Sequence, residues 1–217
     1  MKQREFIFVA VFMLMASAMV ACSFNNGNES GNGKNGNLND RYRDLVQRVL
    51  SNNASRHKAS TRYMMLVDYS IPSNKDRFFV WDTKADGIVY ATWCAHGCGG
   101  GSTDDKPVFS NKPGSRCSSL GLYTVDRGTG VSPRWGYTYH AVNGLESTNS
   151  NARSRQIVMH YWGSVTNDWQ NKIPVPMHCD GRSEGCFTLP EPAFWKIDQY
   201  IKSEPKRILL YAINGKL

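Results

Sequence analysis

The stretch Gly181-Arg182-Ser183-Glu184-Gly185-Cys186-Phe187-Thr188 places a cysteine between a glycine-containing turn and an apolar residue. Glycines at 181 and 185 permit tight backbone geometry, so Cys186 is predicted to lie at a turn that leads into a β-strand. Amide groups of such a turn can converge on one point and form an oxyanion hole. This context favours a nucleophilic cysteine over the apolar filler that an isolated cysteine usually is.

A nucleophilic cysteine needs a nearby base or a positive field, because the ordinary thiol pKa of about 8.5 leaves little thiolate at neutral pH. His160 is the natural base, since it ends an apolar run over residues 156–160 and lies 26 positions before Cys186. Adjacent strands can bring residues at this separation together. The sequence therefore predicts a Cys186–His160 pair suited to acyl transfer.

Two further elements precede the cysteine stretch in chain order. The first contains Phe109-Ser110-Asn111, Gly114-Ser115 and Ser118-Ser119-Leu120-Gly121, and the second contains Gly144-Leu145, Asn149 or Asn151, Ala152, Arg155, Ile157-Val158 and His160. With the stretch from Gly181 to Cys186, they resemble the L,D-transpeptidase (YkuD-type) catalytic domain, in the branch of murein L,D-transpeptidase catalytic domain proteins. The resemblance extends over residues 63–188 and is weaker beyond them.

The resemblance implies a ping-pong acyl transfer on peptidoglycan. The Cys186 thiolate would attack the carbonyl that precedes the D-alanine at the fourth position of a stem peptide, and a thioester would remain. An amine of a second stem peptide would then form a crosslink between two third residues, whereas water would make the protein an L,D-carboxypeptidase. The resemblance also implies that the Tyr161 carbonyl holds the second ring nitrogen of His160, and that amides around Gly185 and Cys186 stabilise the oxyanion.

Several residues are predicted to contact the substrate or to tune the nucleophile. Arg155 could orient a substrate carboxylate or could equally be a surface ion-pair residue, and His96 could line the donor cleft. Ser183 is expected to hold the cysteine turn by hydrogen bonds and to contact substrate only weakly, and Arg182 is a second candidate contact. Glu184 replaces a histidine of the wider family, and its carboxylate would raise the thiol pKa unless it points away.

Strand signals dominate the rest of the chain. Helices are predicted over residues 41–52, capped by Asn39 or Asp40, and over residues 192–202. We predict a mainly β fold, an L,D-transpeptidase-like β-sandwich or barrel with peripheral helices, as one catalytic domain over residues 41–217. The apolar runs that indicate strands are residues 63–67, 77–81, 88–93, 120–125, 156–160 and 207–212.

The pattern of the first residues is typical of an export signal. Lys2 and Arg4 precede an apolar run over residues 6–20, which is too short to span a bilayer but suits a secretory signal. Cys22 follows small residues and resembles the acylated cysteine of bacterial lipoproteins; the alternative is an ordinary signal peptide cut near Ala21. We expect a signal over residues 1–21, a flexible Asn/Gly-rich tether over residues 22–40, and a lipid-anchored envelope protein on the outer membrane, facing the periplasm.

Four of the six cysteines remain after Cys22 and Cys186 are assigned: Cys94, Cys98, Cys117 and Cys179. An exported protein can oxidise them, and two disulfides allow three pairings, of which Cys94–Cys98 with Cys117–Cys179 is one. Zinc is the competing interpretation, with ligands from residues 94–98 plus Cys117 or His178-Cys179. Because the spacing matches no zinc motif, we expect no metal and no cofactor.

The formal net charge is +8 at pH 7, but the basic residues are scattered rather than clustered. This distribution argues against nucleic-acid binding and is compatible with an anionic polymer such as the cell wall. We expect a monomer that acts on peptidoglycan. Two alternatives stay open: an inactive wall-binding lipoprotein with the same fold, and an unrelated exported thiol hydrolase or redox protein, although the chain has no Cys-x-x-Cys motif.

Overall fold

The computed structural model describes residues 38–103, 105–161 and 183–215, which lie in one compact unit over Gly36–Leu217. The predicted signal segment, Cys22, Arg182 and Cys179 lie outside the described residues. Within the described ranges the chain forms two helices and eight strands. They are α1 (Leu38–Asn53), β1 (Ala59–Asp68), β2 (Phe78–Asp82), β3 (Gly87–Thr92), β4 (Gly121–Val131), β5 (Thr138–Gly144), β6 (Val158–Tyr161), β7 (Phe187–Leu189), α2 (Glu191–Ser203) and β8 (Arg207–Ile213).

All eight strands belong to one sheet with the order β3-β2-β1-β8-β4-β5-β6-β7. Two neighbouring pairs, β1–β8 and β6–β7, run parallel, and the other five pairs are antiparallel. The mainly β fold with peripheral helices is therefore confirmed, as a single continuous sheet. None of the described helices is both long and apolar enough to cross a membrane.

The central part of the sheet is buried on both faces. Side chains of β1 alternate between two cores: Tyr63, Met65 and Val67 pack with α2, whereas Met64 and Leu66 pack with α1. This alternation follows from the two-residue period of a strand. Complete burial of an aliphatic or aromatic side chain stabilises the fold by roughly 1.5–3 kcal/mol, so both helices are attached by substantial apolar area.

A buried carboxylate fastens α1 to the sheet. Asp68 is fully buried and accepts hydrogen bonds from Arg41 at 2.8 Å, from the Tyr42 hydroxyl at 2.8 Å and from the Gly215 amide at 3.1 Å. The helix begins at Leu38, three residues before the predicted start, so Asn39 lies inside it. Its side-chain oxygen accepts the Ile88 amide at 3.0 Å and joins α1 to β3.

Two strands lie near the cysteine: β5, which was not predicted from the sequence, and β7, which follows the predicted turn at Cys186. β5 mixes polar and apolar residues, and β7 has three residues. Both lie at the end of the sheet that carries β6, where β5 pairs with β6 and β6 pairs with β7. This end of the sheet positions the site described next.

Candidate active site

A cavity of about 1010 Å³ lies at this end of the sheet, and both Cys186 and His160 line it. One wall is the loop between β4 and β5, residues 132–137, which we call the hairpin loop. A second wall is the segment 153–158 before β6, and a third is the cysteine turn, residues 183–186. The structure thus brings the two residues predicted as nucleophile and base to one solvent-accessible space.

The parallel pairing of β6 with β7 explains this proximity. His160 is in register with Thr188, and Cys186 lies two residues before Thr188 along the same direction. As register partners in parallel strands, His160 and Thr188 point to the same side of the sheet, and Cys186 lies at the end of the turn directly before β7.

The His160 ring is held in one tautomer. Its Nδ1 lies 2.8 Å from the Tyr161 carbonyl oxygen, which can only accept, so Nδ1 carries the proton. Nε2 is then an acceptor, and the Thr188 hydroxyl donates to it at 3.0 Å. Burial lowers the pKa of His160 to about 4, although the Tyr161 carbonyl opposes this shift. The imidazole is consequently neutral at neutral pH.

An aromatic ring covers the base. Tyr137, at the end of the hairpin loop, stacks on His160 with ring centroids 4.1 Å apart and planes within 17°. It also lines the cavity beside Cys186. Its contact arises from the β4–β5 connection rather than from any nearby motif, and sequence reasoning did not identify Tyr137 as a site residue.

The Cys186 thiol is also neutral. Its sulfur lies 3.8 Å from the Gln156 carbonyl oxygen. Burial raises the pKa of Cys186 to about 11; the Val158 amide and Arg155 oppose the shift, and Glu184 adds to it. The pair at rest is therefore a thiol and an imidazole, not a thiolate and an imidazolium, and the proton must move during the attack.

Glu184 raises the pKa of Cys186, as predicted, but its side chain is turned outward toward solvent. Its carboxylate forms a 2.8 Å ion pair with Arg116, and the two side chains are 64% and 51% exposed. Both residues line the cavity. An ion pair this exposed is strongly screened by solvent, so it shapes the charge of the cavity wall more than the stability of the fold.

Hydrogen bonds and backbone conformation hold the cysteine turn. Ser183 is buried; its hydroxyl donates to the Cys186 carbonyl at 2.8 Å and accepts the Gly185 amide at 3.2 Å. Gly185 has φ +114°, and a Cβ there would lie 2.6 Å from the Cys117 carbonyl oxygen. Ser183 thus has its predicted turn-holding role. The Gly185 amide, predicted as an oxyanion donor, is instead engaged within the turn.

Arg155 braces the loop behind the cysteine turn, residues 110–119, which we call the support loop. Its guanidinium donates to the Ser110 carbonyl at 2.9 Å, to the Ser119 hydroxyl at 2.7 Å and to the Cys117 carbonyl at 2.6 Å. Neither sequence-based alternative, a substrate carboxylate ligand or a surface ion pair, describes these contacts. Arg155 also lines the cavity, so it connects the cavity wall to the support loop.

His96 lies away from the cavity. It is fully buried, with Nδ1 2.8 Å from Arg77 Nη2 and Nε2 3.0 Å from the Thr103 carbonyl oxygen. Because the guanidinium only donates, Nδ1 is the acceptor and Nε2 carries the proton. This placement argues against the hypothesis that His96 lines a donor cleft and corrects it to a structural role.

The predicted pairing of Cys94 with Cys98 is not present. Cys94, Cys98, Cys117 and Cys186 are all free thiols in the structure. Among residues 38–103, 105–161 and 183–215, no three His, Cys, Asp or Glu side chains are grouped as metal ligands. The zinc alternative also requires His96, whose two ring nitrogens are already engaged.

Comparison with known proteins gives one family match. The family model YkuD_2, described as the L,D-transpeptidase catalytic domain, matches residues 34–211. Two structures of the helical cell shape determining protein Pgp2 from Campylobacter jejuni, one of them a point mutant, are similar to the chain at 12% identity, with TM-scores of 0.42 and 0.44. They cover 82% and 81% of this chain, which spans 56% of their length. No curated protein matches the sequence.

Proposed function

Because the chain belongs to the L,D-transpeptidase catalytic domain family, we propose that it is a cysteine acyl-transferase acting on peptidoglycan stem peptides. The observation that carries this proposal is the shared cavity of Cys186 and His160, with His160 Nδ1 fixed by the Tyr161 carbonyl at 2.8 Å. A neutral imidazole with an accepting Nε2 suits a general base, and a backbone carbonyl takes the part of the orienting group.

In the proposed acylation, the Cys186 proton passes to His160 Nε2 while the sulfur attacks the carbonyl carbon before the terminal D-alanine. The carbonyl π electrons move onto the oxygen, and the tetrahedral intermediate then collapses to a thioester as the carbon–nitrogen bond breaks. His160 returns the proton to the departing amine of D-alanine. Proton transfer and attack are coupled, since the thiol has a pKa of about 11 and the imidazole a pKa of about 4.

In the second half of the reaction, His160 Nε2 takes a proton from the attacking group. An amine of a second stem peptide yields a crosslink, whereas water yields a shortened stem peptide and makes the protein a carboxypeptidase. Both routes regenerate the thiol and use the same two residues. Thr188 must release Nε2 in each half-reaction, because one lone pair cannot accept the Thr188 hydroxyl and the transferred proton together.

Intact-mass spectrometry tests the proposal. We expect the purified protein to form a covalent adduct with a carbapenem, an acylating mimic of the donor, and Cys186→Ala to form none. Cys98→Ala is the matched control, because Cys98 is a partly exposed thiol outside the cavity lining, and it should react like the parent. An absent adduct on fully reduced parent protein from pH 6 to 9 would remove support for the enzyme. Stem-peptide donors and acceptors then separate crosslinking from hydrolysis.

A second candidate function is a non-enzymatic wall-binding protein with the same fold. It is favoured by the resting contacts, since Thr188 occupies His160 Nε2 and the Cys186 sulfur faces the Gln156 carbonyl. Under this alternative, purified peptidoglycan should retain the parent and Cys186→Ala equally, and no thioester should form with stem peptides. A thioester on Cys186 would exclude it.

We also propose that the chain is exported and anchored by a lipid on Cys22. The support is the charged start, the apolar run and the small residues before Cys22 in the sequence. Metabolic labelling with an alkyne fatty acid should mark the parent and not Cys22→Ala, and cell fractionation should place the labelled parent in the envelope. An unlabelled parent in the periplasmic fraction would instead indicate an ordinary signal peptide.

A further inference from the structure

Among the described residues, the charged side chains that line the cavity are mostly positive. Four arginines line it among the described residues, Arg116, Arg134, Arg153 and Arg155, and one carboxylate, Glu184. Low-dielectric walls with one sign of charge concentrate the field toward the opening. The cavity is thus suited to an anionic ligand, and the contacts of each arginine show which of them can bind one.

Two of the four arginines already have hydrogen-bond or ion-pair partners within the protein. Arg155 places its guanidinium on the support loop through bonds of 2.6–2.9 Å. Arg116 is balanced by Glu184 at 2.8 Å. These two therefore add little attraction for a ligand, and the excess positive charge comes from the remaining pair, Arg134 and Arg153.

Arg134 lines the cavity and is held by its neighbour. Its guanidinium lies over the Trp135 ring, 4.7 Å from the ring centroid, and Trp135 is 56% exposed. The Ser132 amide donates to the Tyr137 carbonyl at 2.9 Å and closes the base of the hairpin loop. Among the described residues no carboxylate pairs with Arg134. Its guanidinium is oriented by an aromatic face that leaves its hydrogen-bond donors for a ligand.

Arg153 faces the same cavity from the segment before β6. Its nearest carboxylate is Asp126 at 3.7 Å, and Asp126 also meets Arg207 at 3.5 Å. Arg153 is 63% exposed, so this shared, long contact is readily exchanged for a ligand. Arg134 and Arg153 thus line the cavity from two different walls, the hairpin loop and the segment before β6.

We propose that Arg134 and Arg153 form a carboxylate subsite in the cavity, which recognises the free carboxylates of a peptide whose scissile bond reaches Cys186. This inference rests on the proposed function and specifies which chemical feature of the substrate is read. A planar guanidinium fork matches a carboxylate through two parallel hydrogen bonds, so the site distinguishes an acid from the corresponding amide.

Isothermal titration calorimetry with Cys186→Ala protein tests the subsite separately from chemistry. The probes are the tetrapeptide L-Ala-γ-D-Glu-L-Lys-D-Ala with both carboxylates free, and the same peptide with both amidated. The free acid should bind about tenfold more tightly, in line with one charge-assisted hydrogen-bond pair at an accessible site. Adding Arg134→Gln with Arg153→Gln should remove this preference, and raising the salt concentration should weaken it.

Arg56→Gln is the matched control, since Arg56 is exposed and lies outside the cavity lining, and it should keep the tenfold preference. Equal affinities of acid and amide for the parent, no measurable binding of either, or a preference that survives in the double variant would each overturn the subsite. A carbapenem adduct on Cys186 alongside any of these results would leave the proposed function standing. A carboxylate preference without an adduct would support the subsite and remove support for the enzyme.

Discussion

Replacing Gly185 by alanine should damage the cysteine turn in two separable ways. The first is backbone strain, because Gly185 has φ +114°, a conformation that L side chains rarely adopt. Such strain costs of order 1–3 kcal/mol. The second is steric overlap, because the new Cβ would lie 2.6 Å from the Cys117 carbonyl oxygen and 2.9 Å from Ile157 Cδ1. Forcing an extra carbon into packed surroundings typically costs about 1–3 kcal/mol.

The two contributions together predict that Gly185→Ala lowers the free energy of unfolding by about 2–6 kcal/mol. Urea unfolding followed by tryptophan fluorescence measures this change. The rate of Cys186 alkylation by iodoacetamide, measured where the variant is still folded, reports whether the turn has moved. Both the stability and the alkylation rate should change, since Gly185 precedes the nucleophile directly.

Two matched glycines separate the contributions. Gly101 has φ +77° with nothing within 4 Å of a new Cβ, so Gly101→Ala should show the strain alone, about 1–3 kcal/mol. Gly128 has open space and no positive φ, so Gly128→Ala should lie within about 0.5 kcal/mol of the parent. If Gly185→Ala were no more destabilising than Gly128→Ala, the close approach of the cysteine turn to the support loop would be refuted.

Three further predictions concern His160, its partner Thr188, and Arg155. Burial lowers the pKa of His160 to about 4, so the unfolded state binds more protons than the folded state between pH 6.5 and 4. The free energy of unfolding should therefore fall by about 3 kcal/mol as the pH falls through that window. His160→Asn should flatten this part of the urea-derived stability profile, and an unchanged profile would contradict a buried neutral imidazole. Thr188→Val removes the hydroxyl from Nε2 while keeping the shape, so iodoacetamide should alkylate Cys186 several-fold faster at pH 7; a slower rate at unchanged stability would instead make Thr188 an aid to the base. Arg155→Met should lower the free energy of unfolding by about 2–4 kcal/mol, because it leaves acceptors of the support loop unpaired. Arg155→Lys should recover little of this loss, since an ammonium lacks the planar fork, and full recovery would show that charge alone matters.

Much of the fold could be predicted from the sequence because burial and periodicity are local signals. Apolar runs located six strands, and two of them, β1 and β2, are almost entirely buried. β5 was missed because it carries His140, a buried polar residue whose ring nitrogens bond the Asp126 carbonyl and Asp198, and no local pattern reveals such satisfied partners. β7 was predicted only as the strand that follows the turn at Cys186, because three residues give too short a period to set its bounds.

The residues of the candidate site likewise divide into those that could be predicted from the sequence and those that could not. Cys186, His160 and the Tyr161 carbonyl could be named from short motifs and the family resemblance. The contacts of Arg155 and Tyr137 could not, because their partners lie on loops distant in sequence or on the far side of a hairpin. The Gly185 amide was misassigned because the same glycine that allows a tight turn also places its N–H against Ser183.

The position of β8 in the sheet has a consequence for how the chain folds. β8 is the last of the described strands in sequence, yet it lies between β1 and β4 and joins the two halves of the sheet. Neither half can complete its hydrogen-bond ladder until residues 207–213 are available, so the sheet closes only after these residues have been synthesised. Long-range pairing of this kind slows folding. A chain that lacks these residues would expose two unpaired strand edges, and such edges promote aggregation.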